Sequence, residues 1–140
     1  MPERHTHSGF TLIEIVVVVF ILGLLVALVA PQIMNRAEWA KVHTAKTQIK
    51  HLEQAVKVFK LDNGRLPTSA EGLQALVPPP PADLPNYDRD GYLDAATPED
   101  PWRRPYVYLT DGRRFSIMSY GADGVSGGDG YDADISNQSS

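Results

Sequence analysis

The sequence predicts an α+β fold, with one long N-terminal α-helix packed on a small antiparallel β-sheet. Three observations predict it. Residues 10–30 form a long apolar run with a single charge. Apolar residues then recur at Ala45, Ile49, Leu52, Val56 and Phe59, in steps of 4, 3, 4 and 3. Two short β-prone segments flank Asp111-Gly112. At 140 residues the chain has room for one modest domain. It has no cysteine, which excludes disulfides, thiolate metal sites and a cysteine nucleophile.

The apolar run, FTLIEIVVVVFILGLLVALVA, is 21 residues long. As a helix it spans about 30 Å, the thickness of a bilayer core. It exceeds the apolar region of a secretory signal, about 7–15 residues. Leu28-Val29-Ala30 followed by Pro31 is a poor signal-peptidase site. The segment is therefore expected to remain as a transmembrane helix. The tail before it is short and polar, with a weak positive bias. Keeping that tail in the cytoplasm sends the C-terminal part across the membrane. Glu14 is the unusual residue, since a carboxylate inside an apolar helix costs about 2.5–3.5 kcal/mol on insertion scales. Either it lies near the interface and snorkels or is protonated, or it meets a positive group of a neighbouring chain.

Beyond Pro31, which removes a backbone donor and should loosen the helix, the amphipathic pattern runs to Asn63-Gly64, a helix stop. One helix from Phe10 to about Asp62 would measure about 80 Å. Lys41, Lys46, Lys50, Lys57 and Lys60 read as a solvated face. His43 and His51 have no companion at metal spacing and read as surface or interface residues. Thr68-Ser69-Ala70-Glu71 is a capping box opening a short helix to about Val77, which the Pro78–Pro81 run stops. Residues 82–104 read as loop. Residues 106–109 and 115–118 form the hairpin.

Charge is uneven. Residues 1–62 carry a net of +2 and residues 63–140 a net of −6. The acidic second half argues against a nucleic-acid partner there. Residues 121–134 read GADGVSGGDGYDAD, with four Asp and five Gly and no Lys or Arg. Such a segment is either a solvated acidic tail or a loop that collects oxygen ligands for calcium, which takes 6–8 of them.

Ser8-Gly9 followed by FTLIEI resembles the type III signal of type IV pilins and pseudopilins. The middle of the chain sharpens the likeness. LDNGRLPT at 61–68 and EGLQAL at 71–76 resemble the corresponding segments of type II secretion major pseudopilins. So do Gly91-Tyr92-Leu93, Asp100-Pro101-Trp102 with Pro105-Tyr106, and Ser119-Tyr120-Gly121-Ala122-Asp123-Gly124. Arg103-Arg104 and the Pro78–Pro81 run depart from the family pattern.

The resemblance implies a pilin-like fold and a fixed processing scheme. A prepilin peptidase would cut after Gly9 and N-methylate Phe10, removing residues 1–9 as a leader. Residues 10–30 would be the transmembrane and polymerisation helix, 31–62 the amphipathic helix, and 63–140 the periplasmic globular part, with a calcium loop at 119–135. Glu14 would neutralise the new amine of an adjacent subunit during assembly. The resemblance also implies bound Ca2+. Carried over by position, Asp123 is a side-chain ligand and Tyr120 a carbonyl ligand. Asp132 and Asp134 are further carboxylate candidates, Gly128 a carbonyl candidate, and Asp129 a substitute for one carboxylate.

The implied function is structural. The chain would polymerise as a helical homopolymer into the periplasmic pseudopilus of a type II secretion system, driving folded proteins through the outer membrane. Implied partners are minor pseudopilins, the prepilin peptidase, an inner-membrane platform protein and an assembly ATPase. The implied location is the inner membrane, as a single-pass protein with its C-terminal domain in the periplasm. The alternative is a type IV pilin of a surface pilus, but those commonly close the C-terminal loop with a cysteine pair. A membrane-anchored enzyme is the third reading. No H-E-x-x-H and no P-loop supports it, and no catalytic residue is expected.

Overall fold

The computed structural model describes residues 9–80, 84–94 and 96–138, with the backbone alone at 30–34. Helix α1 spans Leu12–Asn63, 52 residues. It begins with a capping box. Glu14 N–H donates to Thr11 Oγ1 at 3.3 Å, and Thr11 N–H donates to Glu14 Oε2 at 3.4 Å. These bonds satisfy donors that helix geometry leaves free. The helix is continuous through position 31, so the donor missing at proline does not end it. It ends where the sequence places the stop. Gly64 has φ +70° and donates its N–H to Lys60 O at 2.9 Å, the left-handed exit that glycine allows. Asn63 Nδ2 reaches back to Phe59 O at 3.0 Å and across to Tyr92 Oη at 2.8 Å.

The chain divides into two compact units between Ala37 and Glu38. In the first, the segment Leu12–Val29 is apolar and wholly exposed, long enough to cross a membrane by length and composition. The second holds the core. Ala45, Ile49, Leu52, Val56 and Phe59 are all buried, and Val42 and Ala55 widen the same face. Against them pack Leu66, Leu73, Leu76, Tyr106, Tyr108, Ile117 and Ile135. Lys46, Lys50, Lys57 and Lys60 are exposed, as are His43 and His51.

The capping box forms as the spacing predicts. Thr68 N–H donates to Glu71 Oε2 at 2.7 Å, and Glu71 N–H to Thr68 Oγ1 at 3.2 Å. The helix it opens is a 3₁₀ helix, Gly72–Leu76, and not an α-helix to Val77. Five residues before a proline run leave no room for a second α-turn, and the tighter winding suits so short a piece. Pro78–Pro80 come after it; Pro81 lies outside the described residues.

The sheet has three antiparallel strands in the order β1-β2-β3: β1 Val107–Thr110, β2 Phe115–Ser119 and β3 Ile135–Ser136. β1 and β2 form the expected hairpin, with Thr110 opposite Phe115. Its loop is the four residues 111–114. Asp111 Oδ1 accepts from both Arg113 N–H (2.9 Å) and Arg114 N–H (2.7 Å), which holds the loop. Sequence patterning did not predict β3, which pairs Ile135 with Ser119 and Ser136 with Met118.

Candidate functional site

The acidic segment begins where β2 ends, at Ser119, and returns to the sheet at Ile135. It is an anchored loop and not a free tail. Tyr120 O accepts Gly124 N–H at 3.2 Å, and Tyr131 O accepts Ala122 N–H at 3.0 Å. Gly127 O accepts Asp134 N–H at 3.1 Å. A 3₁₀ turn, Gly130–Asp132, lies between. Two glycines are sterically required. A Cβ on Gly121 would meet the Asp132 carbonyl carbon at 2.7 Å, and one on Gly128 would meet Asp132 O at 2.6 Å. Both have positive φ, which lets the strands of the loop cross closely.

The expected ligands sit in this loop in distinct states. Asp123 is exposed, and its Oδ1 accepts Val125 N–H at 3.0 Å. Asp134 Oδ2 accepts Gly127 N–H at 3.0 Å and Ser126 Oγ–H at 3.3 Å. Asp132 presents its main-chain carbonyl to Gly121 and Gly128, and Asp129 precedes the 3₁₀ turn in extended conformation. Gly128 therefore makes room for Asp132. Among the described residues, none of the four carboxylates pairs with Lys or Arg. Nor do three His, Cys, Asp or Glu side chains gather there into a metal-binding group. The donor set is all oxygen, negatively charged and glycine-hinged, which suits a hard cation. With no carboxylate triad, carbonyls such as that of Tyr120 would have to complete the shell.

Residues that the sequence marks only as family resemblance or departure, with no role at the site, hold this loop in place. Asp100 is 4% exposed, yet both its oxygens are used. Oδ1 accepts Trp102 N–H at 3.0 Å and Arg104 N–H at 2.9 Å, while Ser119 Oγ–H donates to Oδ2 at 2.6 Å. Buried carboxylates persist only with such partners. The resulting turn puts Arg103 at φ +63° and aims Arg104 into the loop. Arg104 Nη1 donates to Gly121 O at 2.9 Å and Nη2 to Ala122 O at 3.1 Å. Trp102 Nε1 donates to Glu38 Oε2 at 2.8 Å, and Lys41 pairs with Glu38 Oε1 at 2.8 Å. Lys41 first, then Trp102, hold the Glu38 carboxyl below the usual range. Trp39 meets Tyr131 edge-on at 6.5 Å, so α1 touches both the Asp100 turn and the loop.

Gly124-Val125-Ser126-Gly127-Gly128 has the G-x-S-x-G spacing of a nucleophile elbow. The required strand–turn–helix context is missing. β2 has already ended at Ser119, no α-helix comes after it among the described residues, and Ser126 Oγ–H is bonded to Asp134.

At the other end, Gly9 and Phe10 precede the helix, with Phe10 exposed, and Glu14 closes its capping box within its own chain. Residues 1–8 of the expected leader lie outside the described residues.

The comparisons with known proteins bear on both ends. Residues 4–30 match the prokaryotic N-terminal methylation motif, which sets the class of amino terminus this chain carries. Residues 32–138 match the family model described as type II secretion system (T2SS), protein G. The chain is 50% identical over 139 residues to the type II secretion system core protein G of Pseudomonas aeruginosa, covering 96% of this chain and 97% of that one. It is 42% identical over 140 residues to the core protein G of Vibrio cholerae, covering 98% and 95%. Its fold matches the crystal structure of the major pseudopilin of enterohaemorrhagic Escherichia coli with a TM-score of 0.60 at 35% identity, over 74% of this chain and 91% of that one. The chain belongs to the type II secretion protein G family, the major pseudopilins, which are structural proteins. That membership favours a pseudopilus subunit over a type IV pilin.

Proposed function

We propose that this chain is the repeating subunit of a periplasmic pseudopilus that drives folded proteins outward, with no catalytic role of its own. The observation that carries the reading is the fully exposed apolar helix Leu12–Val29 with Glu14 in its first turn, in a chain of this family. Such a surface has no solution in water and needs lipid or other copies of itself. A repeating head-to-tail contact that does not close yields a helical filament. In this reading a prepilin peptidase cuts after Gly9 and methylates Phe10. The subunit waits in the inner membrane with its C-terminal part in the periplasm. Glu14 then leaves its Thr11 cap to meet the Phe10 amine of a neighbour as the subunit enters the filament. Minor pseudopilins, a platform protein and an assembly ATPase are its partners. A deletion strain should retain exoproteins in the periplasm while twitching motility persists. Loss of twitching with normal secretion would favour the surface-pilin reading instead.

The loop at 119–135 is proposed to bind Ca2+. Asp123 and Asp134 would hold it with their carboxylates and Tyr120 with its carbonyl, and Asp132 and Gly128 would shape or complete the shell. Bound calcium would offset half of the loop's four negative charges and fix it to the sheet. A ligand at about 100 times its Kd adds roughly 2.7 kcal/mol. A melt in 1 mM calcium and then in chelator should show a shift of several degrees, lost in Asp123→Ala. An unchanged Tm would make the loop a solvated, self-bonded segment.

A further inference from the structure

We propose that Arg104 is a positioning residue for the calcium loop: it braces the turn at Tyr120–Gly124 so that Tyr120 O and the Asp123 carboxylate are presented to the ion. This rests on the calcium reading above. Three observations carry it. The guanidinium holds Gly121 O at 2.9 Å and Ala122 O at 3.1 Å. Those two carbonyls turn toward Arg104, while Tyr120 O and Asp123 Oδ1 on either side of them carry only the local bonds from Gly124 N–H (3.2 Å) and Val125 N–H (3.0 Å), and each oxygen has a further lone pair for an ion. Next, a Cβ on Gly124 would meet Arg104 Cζ at 2.5 Å, so the guanidinium lies flush against the turn. Lastly, Arg104 donates to carbonyls and to none of the four loop carboxylates, among the described residues. It orders the backbone without neutralising the charge that attracts a cation.

Arg104 is itself rigidly placed. Its N–H donates to Asp100 Oδ1 at 2.9 Å, and its carbonyl accepts Asp100 N–H at 2.7 Å. Ser119, the last residue of β2, donates to the other oxygen of the same buried carboxylate at 2.6 Å. One side chain thus anchors both the base of the arginine and the start of the loop.

Two effects oppose each other. A fixed positive charge repels an incoming divalent ion. A braced loop, in contrast, loses less conformational freedom when the ion binds, and five glycines make that saving large. The guanidinium is already compensated by two carbonyl dipoles, and repulsion across a hydrated loop is screened. Bracing should win, so removing Arg104 should weaken calcium binding and not strengthen it.

The test uses the full chain in detergent micelles, with wild type, Arg104→Gln, Arg104→Lys and Asp123→Ala. Terbium bound in the loop is read by its luminescence excited through Tyr120 and Tyr131, and calcium affinity by competition. Tm is measured with 1 mM calcium and with chelator. Arg104→Gln should lose about tenfold or more in affinity, having lost two charge-assisted hydrogen bonds. Its calcium-dependent Tm shift should shrink, and Arg104→Lys should fall between. A merely structural arginine would lower both melts equally and leave affinity unchanged, which overturns the proposal and spares the calcium reading. If wild type binds neither ion, both fall together. Should Arg104→Gln show no cooperative melt, Arg104→Lys decides by the same two readouts.

Discussion

Between Leu12 and Val29, α1 is apolar on every face and every side chain is exposed. Between Val42 and Phe59 the same helix is apolar on one face, and that face is buried. The contrast separates two sources of order. The second half is held by contacts inside its own chain, chiefly with Leu76, Tyr106, Tyr108 and Ile117. Among the described residues none buries a side chain of the first half, which depends on what surrounds it. Folding and assembly are therefore separable along one helix, and mutations should divide cleanly between them.

The most severe loss should come at Glu14. Glu14→Ala should abolish filament assembly, while the processed monomer stays in the membrane with an unchanged Tm. Glu14→Gln sharpens the point. Glutamine can still close the capping box with Thr11 but carries no charge to meet an amine. If Glu14→Gln assembles normally, the cap and not the charge is what assembly needs, and the pairing mechanism is wrong.

Phe59→Ala should do the reverse. Phe59 is fully buried, edge-on to Tyr92 at 5.3 Å and Tyr87 at 6.2 Å, with the Arg65 guanidinium 5.8 Å over its ring. Its loss should cost about 3–5 kcal/mol in denaturant unfolding, yet leave insertion of the Leu12–Val29 segment intact. A loss of membrane insertion would show that the two halves are not independent.

Glu71 comes next. Arg65 holds it by two bonds, 2.7 and 2.8 Å, and Thr68 N–H by a third. Arg65 first, then Thr68, bring its pKa down from 4.5 to about 2, against the opposing effect of burial. Because the folded pKa is the lower one, the unfolded chain takes up the proton first as pH falls. The stabilisation is complete above about pH 4.5 and is lost on the way down to about pH 2. Glu71→Gln should cost about 1–3 kcal/mol at neutral pH, and its unfolding curve should converge with wild type across that window. Parallel curves throughout would mean the ion pair is not what lowers the carboxyl.

These dependences were legible in the sequence to different degrees. The buried face of α1, its Gly64 exit, the capping box and the hairpin follow from spacing and turn chemistry, which are local. Strand β3 has two residues, too few for any period, and forms only because β2 offers an edge. Asp100 sits in the stretch 82–104 that reads as loop, where nothing local marks it as buried, yet Ser119 and two backbone amides draw it inside. Arg104 was illegible because its partners are carbonyls, which every residue has. In the acidic loop, composition points to a cation, but the crossings at Gly121 and Gly128 decide which oxygens face where.

The mildest change lies outside both halves of α1, at Arg103. Its side chain is exposed, and its φ of +63° is one that a non-glycine residue adopts at a cost of about 1–2 kcal/mol. Its N–H bond to Asp100 O, 2.9 Å, would survive in glycine. Glycine loses about 0.5–1 kcal/mol more chain entropy on folding. Arg103→Gly should therefore stabilise the globular part by about 0.5–1 kcal/mol, seen as a higher denaturation midpoint with an unchanged slope. Assembly should be untouched, because the substitution alters neither Glu14 nor the exposed apolar surface. Calcium response should also persist, since the turn that aims Arg104 is kept. A drop in stability would mean that the Arg103 side chain does more than its exposed position indicates. A gain in stability accompanied by lost assembly would place this turn in a contact between subunits, and the division between folding and assembly along the helix would no longer be the whole account.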